Sequence, residues 1–153
     1  MIWTRTKKFD SECAAMADRH YSRRTVGSPQ FMPPGQTIVL KAPNAVFGWW
    51  RPDPSKGFKQ MNGLEGWTCT IFRNESTAKS SEMILEAEFA LTEFAGADCG
   101  PDGMITYVWD KRVRSSNPGC CFKIAGWKVA GKSADKRKTL FLKPYSQAGL
   151  VSL

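Results

Sequence analysis

Arg73, Asn74, Glu75, Ser76, Lys79, Ser80 and Ser81 bring one carboxylate, two cations and several hydroxyls into a short stretch. Glu75 would suit a general base, deprotonating an amine nucleophile, if burial raised its pKa towards neutrality. Its other reading is an ion pair with Arg73 or another neighbour. Lys79, Ser80 and Ser81 read as phosphate contacts, because a helix start leaves N–H groups unpaired and carries partial positive charge. The same residues would equally serve as helix caps. His20, the chain's one histidine, falls at a helix end, where it either caps and packs or transfers protons. One histidine and five cysteines without C-x-x-C spacing give no zinc ligand set, so no metal site is expected. Trp49 and Trp50 are neighbours on a strand and must face opposite sides of a sheet. One packs beneath a helix; the other either joins a core or stacks on a nucleobase. Cys121 has no second histidine to activate it and reads as a small core residue.

Alternation and breakers define the elements that must hold these groups. Ile2 to Thr6 reads as a short strand, and Asp10 or Ser11 as the N-cap of a helix with Cys13, Met16, Ala17, His20 and Tyr21 on one face. Ser28-Pro29 and Pro33-Pro34-Gly35 make a loop. Thr37–Leu40 and Ala45–Trp50 form a hairpin around Pro43-Asn44. Arg51 to Gly66 is a long loop, of a length that is often functional. Trp67–Phe72 reads as a buried strand. A helix follows from Ser80 to about Phe94, with Met83, Ala87, Ala90, Leu91 and Phe94 as its apolar stripe and Gly96 beyond its end. Met104–Trp109 is the next strand, Cys121–Ala125 a short helix, and Trp127–Ala130 with Thr139–Leu142 a closing hairpin. This order predicts a mixed α/β (α+β) fold: a mostly antiparallel sheet, one central parallel strand pair and flanking helices, in one domain over residues 1–153.

With 153 residues and 42% apolar content the chain can build a core without disulfides. Free thiols point to a reducing compartment. The N-terminal residues carry no apolar run long enough for a secretory signal, and no stretch approaches the ~20 apolar residues of a membrane span. A cytoplasmic location without a membrane partner is expected, the host cytoplasm for a phage-encoded chain. The net charge of +8 is uneven. Lys111, Arg112, Arg114, Lys123, Lys128, Lys132, Lys136, Arg137, Lys138 and Lys143 are interrupted by one acid, Asp135. A second basic group is Arg5, Lys7, Lys8, Arg19, Arg23 and Arg24, whereas Glu82, Glu86, Glu88, Glu93, Asp98 and Asp102 make the centre acidic. Such polarity suits a polyanionic partner, or a solvated surface with none.

The strand–loop–helix from Trp67 to Phe94 resembles the fourth strand and acyl-CoA-binding helix of GNAT-type acyltransferases. Asn117-Pro118-Gly119-Cys120-Cys121-Phe122-Lys123-Ile124-Ala125-Gly126-Trp127 resembles the late pattern of that family, an asparagine before a short helix that ends in glycine and an aromatic residue. His20-Tyr21-Ser22-Arg23 is similar to a phage-type branch, the Mom proteins, which modify adenine in DNA. The resemblance implies acetyl-CoA or a related acyl-CoA as the small-molecule donor, held by Arg73, Asn74, Ser76, Lys79, Ser80, Ser81 and Asn117. It implies His20, Tyr21 and Glu75 as catalytic groups. DNA contacts would come from Arg23, Arg24, Lys111, Arg112, Arg114, Lys136, Arg137 and Lys138. Two features depart from the family pattern. The segment from Arg73 to Ser81 has no glycine where the family's pyrophosphate loop carries several, and Phe122 stands where many members place a proton-donating tyrosine.

The expected function is therefore a GNAT-like transferase that modifies an amine or nucleobase, preferably in DNA. A non-catalytic nucleic-acid-binding protein of the same fold, favoured by the two departures, is the first alternative. An N-acetyltransferase of a small amine or protein is the second. The fold expectation is sharp: Trp67–Phe72 and Met104–Trp109 should be parallel neighbours that splay apart at their C-terminal ends.

Overall fold

The structure, a computed structural model, describes residues 2–20, 25–53, 63–97, 99–110 and 119–151. It has a mixed α+β fold built on one mostly antiparallel sheet. In chain order the elements are β1 (Thr4–Thr6), α1 (Ser11–Asp18), β2 (Gln36–Ala42), β3 (Ala45–Arg51), β4 (Trp67–Asn74), α2 (Ser80–Ala95), β5 (Met104–Trp109), α3 (Cys120–Ile124), β6 (Lys128–Lys132) and β7 (Lys138–Lys143). The strands lie in the order β1-β2-β3-β4-β5-β7-β6. Every neighbouring pair is antiparallel except β4 and β5, which α2 joins as a parallel crossover.

Local chemistry sets these boundaries. Asp10 caps α1, its side chain accepting from the Cys13 N–H at 3.0 Å. Pro43-Asn44 closes the β2–β3 hairpin, with Asn44 at φ 58°, a left-handed conformation that asparagine tolerates better than most residues. Gly96 takes φ 64° at the end of α2, where its N–H reaches Thr92 O. β4 and β5 begin with a close backbone crossing: Trp67 N–H donates to Gly103 O at 3.1 Å. A Cβ on Gly66 would lie 2.1 Å from that same oxygen, so only glycine fits there.

The main core lies between the sheet and α2 with α3. Ile84, Ala87, Ala90 and Leu91 of α2 meet Leu40, Phe47, Trp49, Met104 and Phe141 of the strands, all with essentially no exposure. Trp49 stacks near Trp127, with centroids 6.3 Å apart, and donates Nε1–H to Ala87 O. On the opposite face α1 covers β3 and β4 through Cys13, Met16 and Ala17, which meet Val39, Val46 and Ile71. The two tryptophans therefore divide as alternation requires. Trp49 is fully buried, whereas Trp50 is half-buried against the smaller core, with its indole N–H on Pro34 O.

Three expectations about surface and core are corrected. Phe94 is 43% exposed and lies outside the buried stripe of α2; the Arg5 guanidinium covers its ring at 5.0 Å. Glu88 and Lys143, counted among the acidic and basic surface groups, are both fully buried and paired at 2.5 Å. Glu88 also accepts from Trp127 Nε1 and the Gly149 N–H, and Lys143 donates to Ala125 O and Leu150 O. The pair ties α2 and β7 to the segment after a 3-10 turn at Tyr145–Gln147.

Candidate functional site

β4 and β5 are registered over three residue pairs, Trp67–Met104, Thr68–Ile105 and Cys69–Thr106. β4 runs on to Asn74 and β5 to Trp109, and the ladder between them does not follow. The cause lies on the other edge of β4. Trp49 opposes Cys69 and Gly48 opposes Ile71, so Thr70 is an extra, bulged residue. A bulge bends its strand and increases local twist. It falls immediately after the last pair with β5, and there the Thr106 hydroxyl donates to Cys69 O at 3.1 Å. The two parallel strands thus separate towards their C-terminal ends, where open α/β sheets bind ligands. On the α2 side of this opening Phe72 meets Phe122 edge-on, with centroids 6.4 Å apart.

The β4–α2 connection stands at this opening. Asn74 organises it: its amide donates to Ala78 O at 2.7 Å and Ser80 Oγ at 3.1 Å, and its carbonyl accepts from the N–H and hydroxyl of Ser76. Ser76 Oγ in turn accepts from the Ala78 N–H. Asn74 and Ser76, expected as cofactor ligands, therefore spend these polar atoms inside the loop. Ser81 is buried. α2 begins without any side-chain cap, Lys79 occupying the N-cap position with an exposed side chain. Its first-turn N–H groups and Lys79 are what the loop presents to an anion. No residue from Arg73 to Ser81 takes positive φ, so the connection is not a glycine-type phosphate nest.

Glu75 follows its ion-pair reading. Arg73 Nε donates to it at 2.6 Å and Arg19 Nε at 2.7 Å, and Arg73 also donates to Arg19 O. Hydrogen bonds from Arg19 and then Arg73 pull its pKa down to about 2. The expected elevation towards neutrality is therefore corrected: the carboxylate is a clamp between α1 and β4. Nothing local in the sequence marked Arg19 as its partner. His20 lies in the turn after α1, its N–H on Ala17 O, and is half-buried. Burial first, and then the charge of Arg73, lower its pKa to about 4, so it is neutral at physiological pH. His20, Arg19, Arg73 and Glu75 thus share the α1–β4 corner. Tyr21, Arg23, Arg24, Lys111, Arg112, Arg114 and Asn117 lie outside the described residues.

The β6–β7 hairpin is exposed along the whole of β6. Its turn is ordered by Ser133 and Asp135, which bond each other and the N–H groups of Lys138 and Arg137. Lys136 and Arg137 are exposed, while Lys138 lies 5.3 Å over the Trp109 ring. Lys132 is occupied by Asp110 at 2.6 Å. Arg5 on β1 and the bases of β6 lie at opposite edges of the sheet. A separate hollow of about 310 Å³, lined by Leu85, Glu86, Phe89 and Gly149, shares no residue with the β4–α2 loop. Among the described residues no three His, Cys, Asp or Glu side chains gather as a metal site would require, and no helix is long and apolar enough to cross a membrane. Phe122 is buried in the core and all five cysteines are free. Set against protein families, curated proteins and solved structures, the chain matches none of them.

Proposed function

We propose that this chain is a GNAT-like transferase that takes an acyl group from an acyl-CoA-type donor to an amine or nucleobase, with DNA as the preferred substrate. The observation that carries this reading is the opening between β4 and β5, placed by the Thr70 bulge beside the uncapped start of α2. Such a helix start fits the pyrophosphate of a CoA-type ligand, which needs N–H donors and positive charge. The first-turn N–H groups of α2 and the Lys79 ammonium would hold it. Bound there, the donor supplies an activated acyl group. The chain's own residues position it and admit the acceptor. Among the described residues, neutral His20 at the α1–β4 corner is the remaining candidate for moving a proton; Glu75, its pKa lowered to about 2, stays ionised in the clamp with Arg19 and Arg73. Free cysteines fit a reducing, cytoplasmic setting.

Calorimetry with CoA and acetyl-CoA tests the proposal. Wild-type protein should bind, and Lys79→Glu should weaken binding at least tenfold, about 1.4 kcal/mol. Absence of binding at millimolar CoA overturns it. A second reading, a nucleic-acid-binding protein that has lost catalysis, is favoured by the buried Phe122 and by the exposed Glu82 in the first turn of α2, which repels an anion.

A further inference from the structure

The outer face of α2 sets an apolar hollow beside a row of acids that helix electrostatics disfavours. Side chains three and four apart share a helix face, so Glu82, Glu86, Phe89 and Glu93 form one row along α2. The chain has 22 lysines and arginines against 14 acids, yet α2 carries four glutamates and no base. Glu88 turns inward to Lys143. Among the described residues Glu82, Glu86 and Glu93 form no ion pair; Glu86 accepts the Ile2 N–H at 3.2 Å. Glu82 and Glu86 repel each other at their four-residue spacing. Glu93 puts a negative charge in the last turn, against the helix dipole. Natural sequences break such local rules chiefly where function requires it. Leu85 and Phe89, also four apart, line the hollow of about 310 Å³ with Glu86 and Gly149. Gly149 stands against Phe89, since a Cβ on it would lie 3.5 Å from Phe89 Cβ. Its N–H donates to Glu88, and Leu150 O accepts from Lys143, so the buried pair anchors this wall. Phe89 is 51% and Leu150 61% exposed.

We infer that this face docks a basic amphipathic helix of a partner protein, which seats an apolar side chain in the hollow against Leu85 and Phe89 and lays lysines or arginines along Glu82, Glu86 and Glu93. The hollow shares no residue with the β4–α2 loop, so the surface is independent of the transferase reading. Charge selects the occupant. The acid row repels the phosphates of nucleic acid and the headgroups of an anionic membrane. A symmetric contact between two copies would set one acid row against the other. Of the four lining residues only Glu86 has a polar side chain, and it already holds the Ile2 N–H; the convergent polar groups that orient a small ligand are missing. A helix with apolar anchors on one face and cations beside them meets both features at once. Its cations would relieve the repulsion between Glu82 and Glu86 and the misplaced charge of Glu93.

The test uses the full chain and three labelled synthetic peptides of two heptads each. The first is a helix with leucines on one face and lysines on the other. The second replaces every lysine by glutamate, and the third scrambles the order of the first. Fluorescence anisotropy at low salt gives the affinities, and amide chemical shifts of the protein locate the contact. The leucine–lysine helix should bind at least tenfold more tightly than either control, with shifts at Leu85–Glu93 and Gly149–Val151. Phe89→Ala should weaken it at least fivefold. Glu93→Lys should weaken it at least threefold without lowering Tm, because a cation in the last turn favours the helix. Circular dichroism confirms folding; if Phe89→Ala does not fold, Glu93→Lys carries the test. No binding of the leucine–lysine helix at millimolar concentration, equal binding of a control, shifts centred away from α2, or wild-type affinity in the folded variants overturns the inference. So does concentration-dependent self-association in sedimentation velocity that Phe89→Ala abolishes, since the occupant would then be another copy of this chain.

Discussion

Replacing Lys143 by methionine should be among the most damaging single changes in this protein. The ammonium donates to Glu88 at 2.5 Å, Ala125 O at 2.8 Å and Leu150 O at 2.6 Å, and neither charged side chain of the pair is exposed. Lys143→Met leaves the Glu88 carboxylate in the core with only Trp127 Nε1 at 2.9 Å and the Gly149 N–H at 3.1 Å. Removing one partner of a buried pair costs about 3–5 kcal/mol, because the other charge stays uncompensated. Against a total stability of about 5–15 kcal/mol this is a large fraction. For a chain of this size it corresponds to a fall in Tm of roughly 6–20 °C. Urea denaturation followed by tryptophan fluorescence measures it. The double variant Glu88→Met, Lys143→Met no longer buries a charge and should recover at least ~1 kcal/mol of the loss, though Trp127 Nε1, the Gly149 N–H, Ala125 O and Leu150 O each lose the partner they had in the pair. If Lys143→Met costs under ~1 kcal/mol, or the double variant is less stable than the single, the buried-pair argument fails.

Gly66→Ala should destabilise by about 2 kcal/mol or more in the same denaturation assay, since a Cβ would lie 2.1 Å from Gly103 O and force the two strands apart; an unchanged midpoint contradicts the crossing. Asp10→Ala should cost ~1–2 kcal/mol through loss of the α1 cap. The Asp10 pKa is lowered from 3.8 to about 2 by hydrogen bonds from the Cys13 N–H, Thr6 and Lys41, which outweigh burial. Its stabilisation is therefore present above about pH 4 and is lost as pH falls towards 2, a dependence that the Asp10→Ala variant should show in weaker form.

Much of the fold was legible in the sequence because its signals are local. The Pro43-Asn44 turn and the Gly96 stop each depend on a few neighbouring residues, and the elements lie where those signals put them. The parallel pairing of β4 with β5 followed from element order. What was not legible depends on long-range partners. Glu88 and Lys143 look like any surface charges in sequence, and only the fold shows that 55 positions of separation collapse to one contact. Glu75 offered two readings, and the choice between them was made by Arg19, far away in sequence. Phe94 keeps the helical spacing of a core residue but falls past the end of the face that the sheet covers. Asn74 and Ser76 had the right types for a ligand shell, yet the same types satisfy a loop that has no glycine. The Thr70 bulge left no mark in composition, since it exists only in the register of β3 against β4.

The central claim is that the start of α2, beside the separated strands, holds the phosphates of a CoA-type ligand. Amide chemical-shift mapping of the labelled protein during a CoA titration tests it most directly. The account predicts saturable shifts concentrated at the amides of Lys79, Ser80, Ser81 and Glu82, with smaller ones along Ile71–Asn74 and Tyr107–Trp109. Saturable shifts centred elsewhere, for example around Leu85, Phe89 and Gly149, or no shifts at millimolar CoA, would contradict it.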